Sequence, residues 1–139
     1  MRTIHTDEII KNIKEMCIEA NLELSEDMKR KLKNAKEQET GRLGAQILNQ
    51  LEENMGIAKE ESIPICQDTG MAVVFFKIGQ DVHIEGMNVT DAINEGVRQG
   101  YVEGYLRKSV VKDPIERENT KDNTPAVIHY DMIPGEQIE

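Results

Sequence analysis

The chain has 139 residues, 31% of them charged, and a formal net charge of −9. That balance argues against nucleic acid or an anionic membrane surface as a general partner, but not against a small anion drawn to a local positive patch. There is no apolar run long enough to span a membrane and no apolar signal-peptide core in the polar N-terminus. Two cysteines that need not pair fit a reducing compartment, so the expected location is cytoplasmic.

Aromatic residues make up 4% of the chain and Trp is absent, so the core must be aliphatic, with seven Met as gap-fillers. In chain order, residues 1–57 read as three helices. Thr6, followed by Asp7 and Glu8, starts the first, with Ile9, Ile10, Ile13, Met16, Cys17 and Ala20 on one face. Cys17 reads there as a small buried hydrophobe. Ser25 caps the second, with Met28, Leu32 and Ala35 inward and a solvated face of Lys29, Arg30, Lys31, Lys33 and Lys36. The third runs from about Thr40 to Met55, with Leu43, Ile47, Leu48, Leu51 and Met55 as its stripe and Gly56 ending it. A polar loop, Ala58 to Ile63, follows.

Residues 63–139 read as mixed strand and helix. Met71 to Ile78 is apolar on both alternating faces, the pattern of a central strand covered on both sides. Gly79-Gln80-Asp81 turns into a short strand, Val82 to Glu85, expected as its hairpin partner. Asn88-Val89-Thr90 starts a helix that runs to Val111. Its glycines, Gly96, Gly100 and Gly104, recur every four residues; each costs about 1 kcal/mol against alanine, so their stripe implies close approach to a sheet or another helix. A polar loop from Lys112 to Thr124 leads to a strand at Pro125 to Tyr130 and a turn at Met132 to Glu136. Gln137-Ile138-Glu139 opens a further strand at which the sequence stops, the pattern of a fragment. The whole reads as one α+β domain over residues 1–139.

The chemistry concentrates in Pro64-Ile65-Cys66-Gln67-Asp68-Thr69-Gly70. Proline before and glycine after the polar triplet imply a fixed loop. Cys66 has three readings: a metal thiolate, a nucleophile, or an inert thiol under the sheet. No spacing ties His5, His83 or His129 to it as a base, and no Cys-x-x-Cys spacing supports a mononuclear zinc site. Asp68 fits a turn-former or a general acid or base. Gln67 offers donor and acceptor to a substrate carboxylate. Arg107, near the end of the long helix, complements the helix dipole or grips a carboxylate bidentately. Basic residues outnumber acidic ones between Arg98 and Lys121, making that stretch locally positive.

Cys66-Gln67-Asp68-Thr69-Gly70, Leu106-Arg107-Lys108-Ser109 and Asn119-Thr120-Lys121-Asp122-Asn123-Thr124-Pro125-Ala126 occur in this order. Together they resemble the class I fumarate hydratases, and most nearly the α subunit of the two-subunit fumarate hydratase and L(+)-tartrate dehydratase group. The resemblance covers nearly the whole chain and implies a hydro-lyase with a 4Fe–4S cluster. In such enzymes three cysteines hold three irons and the fourth iron acts as an open Lewis acid toward a small dicarboxylate. By position, Cys66 resembles a cluster ligand, Gln67 and Arg107 substrate-carboxylate binders, and Asp68 a catalytic partner of the substrate hydroxyl. The family's α subunit continues beyond the point matched by Glu139 and supplies two more cluster cysteines, and a β subunit carries the base. The expectation is therefore an N-terminal portion, inactive and without a cluster on its own, working on fumarate and malate or alternatively on tartrate. A reading of another class is a non-catalytic interaction or redox-sensing domain that uses Cys66.

Overall fold

The computed structural model describes residues 1–139, which form two compact units: Met1–Ile18 with Asp68–Glu139, and Glu19–Gln67. The fold class is α+β. The order is β1 (Arg2–His5), α1 (Thr6–Leu22), α2 (Glu26–Gln38), α3 (Arg42–Glu61), β2 (Val73–Gly79), β3 (Val82–Glu85), α4 (Val89–Glu103) and β4 (Val127–Ile133).

In the first unit the strands pair in two parallel two-stranded ladders, β1 with β3 and β2 with β4. The expected β2–β3 hairpin does not form. Its partner is β1, a strand at Arg2–His5 where helical pattern was expected. Four residues carry too little periodicity to announce a strand, and Ile4, 6% exposed, is the one that anchors it. Thr6 is the first residue of α1, and its buried hydroxyl accepts a hydrogen bond from Met87 N at 3.2 Å.

The core of this unit is Ile4, Ile9, Ile13, Phe76, Ala92, Ile93 and Val97, with Cys17, Val74, Ile78, Tyr101 and Ile128 packed against it. Ile93 and Val97 are fully enclosed, each worth about 1.5–3 kcal/mol of apolar burial. The glycine stripe of α4 lies on α1. A Cβ on Gly96 would stand 2.7 Å from Ile13 Cβ, and one on Gly100 2.8 Å from Cys17 Cβ. The close approach expected of the stripe is therefore to a helix.

Asn88 caps α4, its side chain accepting from Thr90 N at 2.8 Å. The helix stops at Glu103, well before Val111, because Gly104 caps it and Tyr105 turns left-handed at φ 53°. Arg107 accordingly stands in the irregular segment after the helix, not in its last turn.

Strand β2 is covered on one face only. Val74, Phe76 and Ile78 turn to the core, while Val73 and Phe75 are 51% and 69% exposed. On its other edge Glu139 N donates to Lys77 O at 3.0 Å and Gly79 N donates to Gln137 O at 2.7 Å, so the opening strand at 137–139 runs antiparallel to β2.

The second unit is helical. Helix α3 runs through Gly56 to Glu61 and ends at Ser62, which adopts φ 53° and donates its N–H to Ala58 O. Gly56 is thus interior, and the expected polar loop at 58–63 is mostly helix, because its alanine, lysine and glutamates are good helix formers. Ser25 flanks α2, but its hydroxyl bonds the Asp27 carboxylate at 2.5 Å rather than a helical N–H. Neither helix finds much cover here. Helix α2 buries no residue and α3 buries Ala58 alone. Met28, Leu43, Ile47 and Leu51, expected inward, are 44%, 70%, 48% and 45% exposed.

Candidate functional site

The chemistry-bearing segment leaves the helical unit as an extended stretch tied down at Ile65. Its N–H donates to Asn21 O at 2.8 Å, and its carbonyl accepts from Asn54 Nδ2 at 2.9 Å. Cys66 and Gln67 follow as exposed residues at the end of that unit. An exposed Cys66 is not a thiol sealed under a sheet. The other cysteine, Cys17, is half-buried on α1, where burial pushes its thiol up to about 11. It behaves as the core residue the sequence implies.

Asp68, Thr69 and Gly70 belong to the sheet-bearing unit. Gly70 is not left-handed, so its freedom of φ is not what the loop uses. A Cβ there would lie 3.0 Å from the Asp68 carboxylate oxygen Oδ2; glycine leaves room for that carboxylate. Asp68 stands near enough to Tyr101 for its charge to act on the phenol. Burial pushes Tyr101 up, negative charge at Cys17 and Asp68 adds to this, and a hydrogen bond with Asn123 opposes it.

Asn123 organises this region. It is fully buried, at φ 62°, a conformation Asn tolerates better than most residues. Its Oδ1 accepts from Ser109 N at 2.6 Å and Val110 N at 3.0 Å, and its Nδ2 donates to Gly70 O at 3.3 Å. One amide therefore joins the end of the Asp68 loop to the segment bearing Arg107. Leu106 and Val110, 3% and 8% exposed, clamp that segment on either side and leave Arg107 at the surface.

The polar run 119–126 is scaffold for the same segment. Asn119 Nδ2 donates to Lys108 O at 2.9 Å, and Thr120 N donates to Val110 O at 3.0 Å. Burial pushes the Asp122 carboxyl up, but hydrogen bonds from Thr124 N and Oγ1 outweigh it and leave it below the usual range. Ala126 N donates to Asn94 Oδ1 at 2.8 Å, fixing the run to α4. Ser109 Oγ is buried with no hydrogen-bond partner, two residues from Arg107. Such an orphaned hydroxyl calls for an explanation.

The structure thus links the Asp68 loop to the Arg107 segment within one unit and sets Cys66 and Gln67 at the end of the other. Asn123 and Ser109 lie in the motif segments of the sequence but carry no role in the sequence reading. The available signal for Asn123 was an Asn in a turn-rich run, where αL backbone and a buried amide commonly coincide.

No group of three or more His, Cys, Asp or Glu side chains is placed to hold a metal ion, and the sequence has two cysteines where a cubane needs three. These residues alone do not fit such a cluster.

Helices against two small parallel ladders, one of them bordered by the strand tied along β2, with carboxylate and guanidinium segments joined by a buried amide, define an α+β scaffold. The family model described as fumarate hydratase (Fumerase) matches residues 10–139, and the chain belongs to that family. It is 40% identical over 110 residues to a provisionally named L(+)-tartrate dehydratase subunit alpha of Methanocaldococcus jannaschii, covering 78% of this chain and 38% of that one. A provisionally named class I fumarate hydratase of Geobacillus stearothermophilus is 31% identical over 84% of this chain and 22% of its own. The L(+)-tartrate dehydratase subunit alpha of Escherichia coli K12 is 29% identical over 91% of this chain and 41% of its own. The chain spans well under half the length of these relatives.

Proposed function

We propose that the chain is the N-terminal part of a cytoplasmic iron–sulfur hydro-lyase that adds water to, or removes it from, a small dicarboxylate. The substrate pair is fumarate and malate. Tartrate is the second reading, favoured by the 40% identity to a tartrate dehydratase subunit alpha. Arg107 and Gln67 bind substrate carboxylates, the first through a planar two-pronged donor and the second through its amide. Asp68 accepts and returns the proton of the substrate hydroxyl. Cys66 is one thiolate ligand of a 4Fe–4S cluster whose other two ligands lie outside these 139 residues, and a β subunit completes the assembly. The two cysteines of these residues do not complete a cluster.

The observation that carries this reading is the Asn123 amide, which holds the backbone at Gly70 and at Ser109–Val110 together. It fixes the spacing between a carboxylate loop and a guanidinium segment, which is what positioning a small dianion requires. The test is to supply the chain with the remaining α-subunit residues and the β subunit, assemble anaerobically, and assay malate and tartrate side by side. Dehydration of one acid, lost in Asp68→Asn and with KM raised in Arg107→Met, is the expected result. Full rates in Asp68→Asn would overturn the assignment. Anaerobic reconstitution of the 139 residues alone should give no stoichiometric cubane absorption.

A further inference from the structure

Asn123 offers its two ends to two different parts of the site. At one end Oδ1 accepts from Ser109 N and Val110 N, just beyond Arg107. At the other, Nδ2 donates to Gly70 O, just beyond Asp68. The amide can sit only one way, because turning it over would set its NH2 against two N–H donors and its oxygen against a carbonyl. The residue is fully buried, so bulk water does not stand in for either partner. The two ends are not equally backed. The Arg107 segment has further ties, with Asn119 Nδ2 donating to Lys108 O at 2.9 Å and Thr120 donating to Val110 O from N at 3.0 Å and from Oγ1 at 3.3 Å. Asp68 and Thr69 are exposed, and the 3.3 Å bond to Gly70 O is the longest that Asn123 makes to the backbone.

We propose that Asn123 is a positioning residue whose two ends govern different kinetic constants. The nitrogen end sets kcat through Asp68, and the oxygen end sets KM through Arg107. This rests on the dehydratase reading, in which Asp68 handles the proton of the substrate hydroxyl and Arg107 binds a carboxylate. The nitrogen end holds the loop whose carboxylate must meet a hydroxyl at bonding distance, and a misplacement of about 1 Å there can cost about a hundredfold in rate. The oxygen end holds a segment that meets the substrate through a long charged side chain. Loosening it weakens binding of the ground state and the transition state alike, which raises KM and leaves kcat in place.

Asn123→Asp separates the ends. A carboxylate keeps the acceptor for Ser109 N and Val110 N, tolerates the left-handed backbone at φ 62°, and has no hydrogen to give Gly70 O. In the chain completed with the remaining α-subunit residues and the β subunit, kcat should fall about tenfold or more while KM stays within about twofold. Asn119→Ala loosens the Arg107 segment alone and should do the reverse, raising KM about threefold or more at unchanged kcat. In the 139-residue chain, Ser109 and Val110 amides should exchange as slowly in Asn123→Asp as in the wild type. They should exchange quickly in Asn123→Gly, which keeps the backbone conformation and loses both ends. The Met71 amide nitrogen, joined to the released Gly70 carbonyl, should shift in both variants. A rise in KM that matches the fall in kcat in Asn123→Asp would overturn the proposal, as would a loss of kcat in Asn119→Ala as large as its change in KM. Fast exchange of Ser109 and Val110 in Asn123→Asp would overturn it equally. An assembly that turns over neither malate nor tartrate would instead sink the dehydratase reading and the kinetic assignment with it, whatever the exchange rates show. Asn119→Ala remains decisive if the buried carboxylate does not fold.

Discussion

Helices α3 and α4 carry equally plain apolar stripes, yet they meet different fates. Helix α4 buries Ala92, Ile93, Gly96, Val97 and Gly100, whereas α3 buries Ala58 and leaves Leu43, Ile47 and Leu51 at 70%, 48% and 45% exposure. Periodicity tells which face of a helix wants cover but not whether cover lies within reach. The glycines of α4 carry the additional information, because they let α1 approach to contact distance. The helical unit has no such device. It is laced instead by surface ion pairs, Lys29 and Lys59 on Glu23 at 3.3 and 3.1 Å, and Lys36 on Glu52. Exposed pairs of this kind contribute about 0–1 kcal/mol each.

Truncation of one apolar residue in each unit tests that difference most directly. Ile93→Ala removes a fully buried side chain and should cost about 2–5 kcal/mol in urea unfolding. Leu43→Ala, at 70% exposure, should change stability by less than about 0.5 kcal/mol. Equal losses would show that the α3 face is covered in solution. Two asparagines provide a second, somewhat smaller contrast. Asn123→Ala leaves Ser109 N and Val110 N without their acceptor, at about 1–3 kcal/mol for each buried donor, and should speed amide exchange at both. Asn54→Ala loses one exposed bond to Ile65 O and should cost about 1 kcal/mol or less.

Glycine-to-alanine exchange should change sign between the units. In Gly96→Ala the new Cβ meets Ile13 Cβ at 2.7 Å and the Ile10 carbonyl oxygen at 2.8 Å, so overpacking should destabilise by about 1–3 kcal/mol. Gly56 is interior to α3 with nothing within 4 Å of an added Cβ, so Gly56→Ala should stabilise by about 1 kcal/mol through helix propensity. Thermal melts of the two variants read the sign directly. Destabilisation by Gly56→Ala would mean that another surface packs there.

Much of this was legible from residues, and the failures of strand pairing and cover share a cause. The helices, the Asn88 cap and the purpose of the glycine stripe follow from local chemistry, which a single sequence states. The pairing of β3 with β1 instead of β2, and the exposed outer face of β2, depend on which distant segment lies at an edge or over a face. Val73 and Phe75 look like core in the sequence because apolar alternation cannot distinguish a face that is covered from one that awaits cover. At the site, Cys66, Gln67, Asp68 and Arg107 stood out by residue type. Asn123 did not, because its importance lies in three backbone groups it reaches and not in its own reactivity.

The smallest effect at neutral pH is also the one with the most specific signature. Burial raises Cys17 from an ordinary value of 9.0 to about 11, so between those pH values the folded chain keeps a proton that the unfolded chain has lost. The unfolded state then binds fewer protons, and stability must fall as pH rises through this window, while it is unaffected below it. Tyr101, also raised chiefly by burial, acts in the same direction. Urea midpoints should therefore decline from about pH 9 to about pH 11, and Cys17→Ala should flatten part of that decline and leave the part due to Tyr101. Alanine keeps the Cβ against Gly100, so the helix contact survives the exchange. Iodoacetamide should modify exposed Cys66 in the native chain well before Cys17. An unchanged alkaline slope in Cys17→Ala would mean that burial does not hold the Cys17 thiol above its ordinary range, while the α1–α4 approach at Gly96 and Gly100 would stand on its own geometry.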